Sequence, residues 1–323
     1  MLVNGYERSS SIVVLCGGKS LERAISLDSG RNVVSGLEEL GFNVVSIDPK
    51  DKTWFKKLVD TNPCYIFNIL HGAYGEDGVM QGFLDTMGFC YSGSGVLGSA
   101  ISMDKAKSKH IWSNMDLPTL PFFMVDKMDK AMLEKIENSF SAPFCLKTVD
   151  GGSSIGTKKV LSVTDLPQAY AELVNLASDI ICEPWLNNVR EYTVGILNGK
   201  PLPLIEIITG VDFYDFEAKY KRGDTQYICP CDMGSSIQKE LQRVAVAAFN
   251  AIGCKHYGRV DFICDKEGKF YLLEANTIPG FTRKSLVPMA AKQHGYLFND
   301  LLLELLPNEI RSFLMDDVGV SSS

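Results

Sequence analysis

The alternation of apolar runs with a helix-like segment near the N-terminus most constrains the fold of this chain. Apolar runs at residues 11–16, 43–47 and 65–70 have the length of strands, and residues 21–40 are typical of a helix that ends at Gly41. Consecutive strands separated by a helix pair in parallel, since a parallel pair needs a crossover connection. We therefore predict an α/β fold with α+β elements, in which the N-terminal sheet is parallel and binding loops follow its strand ends.

Two later apolar runs carry polar groups in a pattern that suggests a site. Arg259 and Asp261 lie two residues apart on one predicted strand, and Glu274 and Asn276 do so on the next. Residues two apart share a face of a strand, so a turn at residues 265–268 would bring the four together. Two carboxylates and an amide oxygen suit a hard divalent cation, and an arginine beside them suits phosphate or an oxyanion. An ordinary surface hairpin with ion pairs is the alternative interpretation of these residues alone.

The length of 323 residues predicts two or three domains. Pro118 and Pro121 end a helix predicted over residues 96–115, which marks a first boundary. A proline-containing segment around Pro184 marks a second. The predicted domains are residues 1–116, 117–186 and 187–323.

Turn and cap signals locate several further elements. A Gly/Ser loop at residues 150–156 joins two predicted strands, and Asn198-Gly199 predicts a hairpin. Residues 210–233 form a long irregular, aromatic-rich stretch, which is typical of a functional lid. Ser235 with Gln238 predicts a capping box at the start of the next helix.

Composition excludes several classes of protein. The net charge of −7 without a basic tract argues against nucleic-acid binding. Nine cysteines without CxxC or finger spacing predict reduced, buried thiols. No run approaches the ~20 apolar residues of a membrane span, and the first residues lack an apolar signal core. These features predict a cytoplasmic protein that binds neither nucleic acid nor membrane.

The predicted strand ends carry candidate binding groups. Gly17-Gly18-Lys19-Ser20 is not a P-loop, because that pattern requires glycine where Val13 stands. It predicts a glycine turn before a helix N-terminus, where Glu22 could receive an ammonium group. His71 follows another strand, and without a second histidine at ligand spacing we predict no zinc site. Lys105 and Lys147 could supply counter-charges to phosphate beside the Gly/Ser loop, although a lone lysine is more often a solvated surface residue.

In this order the motifs resemble the D-alanine–D-alanine ligase family of ATP-grasp enzymes. The resemblance spans residues 12–306 and covers nine segments. These are Gly17-Gly18-Lys19-Ser20-Leu21-Glu22-Arg23, His71-Gly72 with Gly75-Glu76-Asp77-Gly78, Tyr91-Ser92-Gly93-Ser94-Gly95, Met103-Asp104-Lys105, Gly152-Ser153-Ser154-Ile155-Gly156, Glu217-Ala218-Lys219-Tyr220, Gly258-Arg259-Val260-Asp261, Leu273-Glu274-Ala275-Asn276-Thr277 and Ser285-Leu286-Val287-Pro288-Met289-Ala290-Ala291.

The resemblance implies a three-domain ATP-grasp fold that joins two D-alanine molecules in peptidoglycan precursor synthesis. The N-terminal domain would bind substrate, and ATP would lie between the central domain with its Gly/Ser flap and the C-terminal domain with its lid. The residues implied in ATP binding are Lys105, Lys147, Ser154, Glu183, Pro184, Trp185, Leu186, Glu191 and Lys219. Within this set, residues 183–186 would hold adenine and Glu191 the ribose.

The same resemblance implies the metal and substrate residues. Asp261, Glu274 and Asn276 would bind two Mg²⁺ ions (or Mn²⁺). The implied catalytic residues are Glu22, Ser153, Tyr220, Arg259, Gly280 and Ser285, and the implied substrate-binding residues are Glu22, His71, Ser285 and Leu286. A homodimer is also implied.

A few positions depart from the family pattern, and alternatives stay open. Pro184 replaces an expected lysine, and Ile278, Arg283 and Lys284 differ from common residues near the second substrate. A ligase that accepts D-lactate or D-serine in the second subsite is one alternative. A catalytically inactive nucleotide-binding module is another, although its expected loss of a metal ligand or phosphate lysine is not observed in the sequence.

Overall fold

The computed structural model describes residues 10–151, 156–176, 179–209 and 225–315. Its first sheet is parallel, with the strand order β2-β1-β3, and consists of Ile12–Leu15 (β1), Val44–Ile47 (β2) and Tyr65–Asn68 (β3). Helices cover both faces: Ile12 and Val14 share a core with α1 (Arg23–Glu39), whereas Val13 and Leu15 pack with residues of α2 (Trp54–Thr61) and α3 (Val79–Thr86). The predicted parallel sheet is confirmed, and its continuous apolar strands reflect burial on both sides.

The helix predicted over residues 96–115 is two helices, α4 (Val96–Met103) and α5 (Lys105–Asn114). Asp104 separates them with an extended backbone (φ −89°, ψ 98°), and its side chain accepts a hydrogen bond from the Lys107 N–H at 2.8 Å. An aspartate that satisfies a free N–H in this way begins a new helix. The break makes Lys105 the first residue of α5.

The second sheet is antiparallel, with the order β4-β7-β5-β6. Its strands are Phe123–Met124 (β4), Phe144–Thr148 (β5), Thr157–Val160 (β6) and Ile180–Pro184 (β7). One face shares a core with α6 (Lys130–Ser139) and α7 (Leu166–Leu173), through residues such as Phe144 and Leu146. Because side chains alternate along a strand, Cys145 and Lys147 face the opposite side.

The third sheet is also antiparallel, with the order β10-β9-β8-β11-β12. Its strands are Arg190–Leu197 (β8), Lys200–Ile208 (β9), Gln226–Ile228 (β10), Tyr257–Cys264 (β11) and Phe270–Asn276 (β12). The predicted hairpin at Asn198 and Gly199 is confirmed, since both residues have positive φ angles of 50° and 75°. Strand β10 lies inside the stretch predicted to be irregular, and residues 210–224 lie outside the described ranges.

Helix α8 (Ser235–Ala251) packs on this sheet, and the capping box predicted for it is wrong. Gly234 is the N-cap residue, and no side chain caps the helix. Ser235 is already helical, so its hydroxyl is one position too late for the box. The Gln238 side-chain amide donates instead to the carbonyls of Met233 at 2.6 Å and Cys231 at 3.3 Å.

Three further helices, α9 (Leu286–His294), α10 (Phe298–Glu304) and α11 (Asn308–Met315), complete the described part of the chain. They share one core with residues of the N-terminal sheet and of the C-terminal sheet. The Tyr65 hydroxyl donates to the Leu305 carbonyl at 2.9 Å, and in the segment before α9 the Phe281 N–H donates to Ser29 Oγ of α1 at 3.0 Å. Each sheet lies inside one of the predicted domain ranges, and the division itself stays a prediction. No helix in the described ranges is both long enough and apolar enough to span a bilayer.

Gly98 in α4 allows a close approach to the turn that leads into β11. A Cβ atom there would lie 2.5 Å from the Gly253 carbonyl oxygen and 2.9 Å from the Cys254 nitrogen. We predict that Gly98→Ala lowers the free energy of unfolding by about 1–3 kcal/mol, because backbone must move to admit the methyl group. Urea unfolding measures this change.

Gly82→Ala in α3 is the matched control. Its nearest contact would be Val96 Cγ2 at 3.7 Å, an ordinary van der Waals distance. Alanine there is expected to stabilise the helix by about 0.5–1 kcal/mol. Equal stabilities of the two variants would contradict the role assigned to Gly98.

Candidate active site

A cleft between the second and third sheets collects the residues predicted to bind nucleotide. Every such residue within the described ranges lines it, together with two of the three predicted metal ligands. These lining residues are Lys105, Lys147, Glu183, Pro184, Trp185, Leu186, Glu191, Asp261 and Glu274. Ser153, Ser154, Lys219 and Tyr220 lie outside the described residues.

The hairpin of β11 and β12 brings together the four polar residues that were predicted to converge, and a bulge between Asp261 and Phe262 shifts the pairing by one residue toward the turn. Arg259 lies opposite Asn276, and Asp261 lies opposite Glu274. The Arg259 guanidinium forms a two-pronged ion pair with Asp261, with Nε–Oδ1 and Nη2–Oδ2 distances of 2.8 Å each. Directly opposite groups of an antiparallel pair share a face, so the four polar side chains are neighbours on one side of the sheet.

Two further side chains hold these carboxylates. Thr193, which pairs with Asp261 from β8, donates from its hydroxyl to Asp261 Oδ1 at 2.6 Å. Lys105 Nζ lies 3.6 Å from Glu274 Oε2 and also donates to the Gly151 carbonyl. Sequence reasoning missed Thr193, which looks like an ordinary β-strand residue until its neighbour in the sheet is known.

The oxygen donors fit magnesium that arrives with a nucleotide. Within the described ranges, no group of three or more His, Cys, Asp or Glu residues has the geometry of a metal site. The hairpin offers two carboxylates and Asn276, whose Oδ1 accepts from the Ile278 N–H at 3.2 Å and retains a second lone pair. Magnesium is usually bound by one or two carboxylates plus substrate phosphates, which matches this set.

A buried ion cluster lies behind the cleft. Glu183 is 2% exposed and receives Lys109 Nζ at 2.7 Å and Lys147 Nζ at 2.8 Å. Burial alone would raise the pKa of Glu183, but the two ammonium groups outweigh it and lower this pKa to about 2. The cluster therefore keeps Glu183 ionised. Sequence reasoning missed Lys109, because a lysine in a helix rich in lysine is typical of a solvated face.

The loops that follow β1 and β3 bring Glu22, His71 and Glu76 together. A Cβ atom at Gly72 would lie 3.1 Å from Glu22 Oε2, and the Gly72 N–H donates to Glu76 Oε1 at 3.0 Å. Among the described residues, neither His71 Nε2 nor Glu76 Oε2 has a hydrogen-bond partner, although both atoms are buried. Burial raises the pKa of Glu76 to about 8, and the carboxylate of Glu22 acts in the same direction.

The predicted second-substrate residues meet at the start of α9. Ser285 is its N-cap residue, Leu286 is its first helical residue, and a Cβ atom at Gly280 would lie 3.2 Å from Ser285 Oγ. The Thr282 N–H donates to Ser285 Oγ at 3.0 Å. A helix N-terminus favours a carboxylate, because its first N–H groups lack intrahelical acceptors.

Two residues that depart from the family pattern near the second-substrate residues, Arg283 and Ile278, have different surroundings. Arg283 forms an ion pair with Glu39 of α1, with an Nη2–Oε1 distance of 2.8 Å. Ile278 is 1% exposed. Arg283 thus contacts α1, and Ile278 contributes to packing.

Comparison with known proteins identifies the family. A family model described as "D-ala D-ala ligase C-terminus" matches residues 111–307. A D-alanine–D-alanine ligase of Nitrosococcus oceani is 43% identical over 306 residues, which cover 95% of this chain and 96% of that protein. The chain belongs to the D-alanine–D-alanine ligase family.

Other ligases of this family support the assignment. One from Acinetobacter baumannii is 42% identical over 297 residues, covering 91% of this chain and 94% of the relative. A crystal structure of the Bacillus anthracis ligase has a TM-score of 0.79 and 29% identity, covering 94% of this chain and 99% of that one. The same enzyme complexed with ATP has a TM-score of 0.79, 28% identity, and coverage of 95% and 99%. The predicted ATP-grasp fold is confirmed.

Glu183→Gln tests the buried ion cluster of this family member. The change leaves two buried ammonium groups without their carboxylate, which typically costs about 3–5 kcal/mol. We expect the free energy of unfolding to fall by that amount in urea titrations. Glu172→Gln, which removes the exposed partner of Lys158, is the matched control and should change little. A Glu183→Gln protein as stable as the control would contradict the account.

Glu76 should make stability depend on pH. Its pKa of about 8 in the folded protein exceeds its ordinary value of 4.5, so the folded state holds a proton that the unfolded state releases. This contribution to stability is complete below pH 4.5 and is lost as the pH rises toward 8. We predict that Glu76→Gln flattens the decline of the urea midpoint over this range, in protein with EDTA and without nucleotide.

The control for this measurement is Glu137→Gln, at an exposed position of α6. Its decline should match that of the unmodified protein. If the urea midpoint of the Glu76→Gln variant falls with rising pH as steeply as that of the control, Glu76 does not hold the proton.

Proposed function

We propose that this chain joins two D-alanine molecules into D-alanyl-D-alanine, with conversion of ATP to ADP and phosphate. ATP phosphorylates the carboxylate of the first D-alanine, because a free carboxylate is a poor electrophile at neutral pH. The amine of the second D-alanine then attacks the acylphosphate carbonyl and releases phosphate. The dipeptide serves peptidoglycan precursor synthesis.

The observation that carries the proposal is the position of Arg259. Its guanidinium is paired with Asp261 in the nucleotide cleft. In the loop after β3, burial is the main influence on the pKa of His71 and of Glu76, and the nearby charge of Arg259 lowers both pKa values. One residue therefore connects the nucleotide cleft with the group of side chains assigned to the first substrate. A reaction that transfers phosphate from ATP to a bound carboxylate needs this adjacency.

The cleft residues take separate roles in ATP binding. Lys105 and Lys147 contact phosphates. The family resemblance assigns the γ-phosphate to Lys219 and a part in ATP binding to Ser154, and both residues lie outside the described ranges. The carbonyl of Pro184 can still accept from the adenine amino group, since proline lacks only the N–H. Trp185 and Leu186 complete the adenine pocket with Glu183, and Glu191 binds the ribose.

Asp261, Glu274 and Asn276 would hold two Mg²⁺ ions, or Mn²⁺, and these ions would supply positive charge to neutralise the transferring phosphoryl group. Arg259 and the Gly280 N–H stabilise the oxyanion that forms when the second amine attacks. Ser285 and the Leu286 N–H bind the carboxylate of the second D-alanine. Glu22 and His71 hold the first D-alanine. The family resemblance assigns Ser153 and Tyr220, which lie outside the described ranges, to closing the site against water together with Glu22.

The direct test is release of phosphate from ATP in the presence of D-alanine, with the dipeptide measured by mass spectrometry. Stimulation by D-alanine and not by L-alanine is expected. No stimulation would favour an inactive nucleotide-binding module. Supplying D-lactate or D-serine beside D-alanine, across a range of pH, tests the alternative second substrates, and dominant depsipeptide formation would contradict the proposal.

A cytoplasmic location and a homodimer are also part of the proposal. The location is supported by the nine cysteines, which are free thiols as expected in a reducing compartment. The homodimer rests on the family resemblance, and sedimentation equilibrium tests it.

Asp261→Asn and Arg259→Ala should separate the two roles on β11. Asp261→Asn removes a carboxylate ligand and should raise the magnesium concentration that gives half-maximal rate. Arg259→Ala should slow the overall reaction roughly 100- to 1000-fold, as expected for loss of an oxyanion donor, with a smaller change in the KM for ATP. Steady-state kinetics with ATP and magnesium varied independently measure both effects.

Arg243→Ala is the control for loss of an arginine, since Arg243 lies on the exposed face of α8 and pairs with Glu240. It should leave unchanged both the magnesium concentration that gives half-maximal rate and the overall rate of the reaction. Equal effects of the Asp261 and Arg259 variants on ATP affinity would show that the division of roles is wrong.

A further inference from the structure

The Arg23–Asp48 ion pair encloses the peptide group of Gly18, in the loop that leads to Glu22. Asp48 follows β2 and accepts the Gly18 N–H at 2.9 Å with Oδ1, while its Oδ2 lies 2.6 Å from Arg23 Nη2. Arg23 Nη1 donates to the Gly18 carbonyl at 2.9 Å. Both polar groups of Gly18 are thus held by one carboxylate and one guanidinium, which also hold each other.

The backbone of this loop has a left-handed conformation and leaves no room for a side chain beside the ion pair. Gly17 and Gly18 both have positive φ angles, of 93° and 75°. A Cβ atom at Gly17 would lie 2.7 Å from Asp48 Cγ and 2.8 Å from Arg23 Nη1. The left-handed backbone and the contact with the ion pair both require residue 17 to lack a side chain.

The enclosed loop is connected to the other substrate loop. Ser26 Oγ accepts the Gly17 N–H at 2.8 Å and donates to the Ile69 carbonyl at 2.6 Å, at the end of β3. Three residues after Ile69, Gly72 lies against Glu22, since a Cβ atom at Gly72 would be 3.1 Å from Glu22 Oε2. Glu22 therefore lies between two loops that Ser26 joins, and the Arg23–Asp48 pair holds the first of these loops against the end of β2.

We infer that Asp48 and Arg23 are positioning residues for the first D-alanine subsite, which they act on by fixing the loop that presents Glu22. The inference rests on the proposed function and adds two residues that touch no substrate. Arg23 is the neighbour of Glu22 and begins α1, so rotation of its side chain away from Asp48 would free the turn that directs the Glu22 carboxylate. A role in stability alone is the competing explanation, since the pair also joins two strand ends.

The test is Asp48→Asn, with the rate measured against D-alanine concentration and fitted with separate constants for the first and second molecule. Loss of the ion pair should raise the first constant by about 10- to 100-fold, since small displacements of a binding group have effects of this size. The second constant and the melting temperature should stay close to their original values. Asp28→Asn, which breaks the exposed Asp28–Arg31 pair on the same helix, is the matched control and should change neither constant.

The double variant Arg23→Asp/Asp48→Arg separates positioning from stability. The exchange restores a pair of opposite charges. It also places an arginine donor beside the Gly18 N–H and an aspartate acceptor beside the Gly18 carbonyl, so neither hydrogen bond can form. If the two residues act by positioning the loop, the constant for the first D-alanine should not recover. Recovery would overturn the inference, as would an unchanged first constant or equal rises in both constants in Asp48→Asn.

Arg23→Lys provides the same test if Asp48→Asn fails to fold. Lysine keeps the positive charge beside Asp48 but cannot contact Asp48 and the Gly18 carbonyl with two separate nitrogens. A rise in the first D-alanine constant, without a rise in the second, is again expected. Absence of D-alanine-dependent phosphate release in the unmodified enzyme would instead contradict the proposed function.

Discussion

The antiparallel register of β11 and β12 is the constraint on which the active site depends. It sets Arg259 opposite Asn276 and Asp261 opposite Glu274, so that four polar groups share one face. A shift by one residue would turn all the groups of one strand to the other side of the sheet. The register is supported from the neighbouring strand, where Thr193 pairs with Asp261 and hydrogen-bonds to it. One strand pairing therefore brings together the residues proposed to bind metal and the arginine proposed to stabilise the oxyanion.

The carboxylates that line the cleft are balanced by cationic side chains of the protein before a nucleotide binds. Asp261 is paired with Arg259, Glu274 lies near Lys105, and Glu183 lies between Lys109 and Lys147. Buried carboxylates without such partners would take up protons. Binding of ATP with its metal ions adds both phosphate charges and cations, so the lysines and carboxylates can exchange protein partners for ligand partners.

The sequence predicted the elements in which apolar and polar residues recur in a regular pattern. Alternation along a strand was enough to place Arg259, Asp261, Glu274 and Asn276 on one face, and apolar runs were enough for the parallel sheet. Asp104 was missed as a helix boundary because a single capping aspartate interrupts an otherwise regular helical pattern. Helices α2 and α3 are only eight residues each, too short for a clear period of buried residues.

Interactions between distant parts of the chain could not be predicted from local pattern. Lys109 lies 74 positions before Glu183 and becomes significant only when α5 packs beside β7. The Arg23–Asp48 pair likewise depends on β1 and β2 being neighbours. Glu76 lies inside a motif that the family resemblance covers, yet its raised pKa follows from burial beside Glu22, which the sequence does not show.

Binding of Mn²⁺, followed by electron paramagnetic resonance, tests most directly whether the hairpin carboxylates are balanced by protein cations until nucleotide arrives. We expect little binding of Mn²⁺ to the protein alone and two ions per chain when a non-hydrolysable ATP analogue is added. Tight binding without nucleotide, or no additional binding with it, would contradict the account.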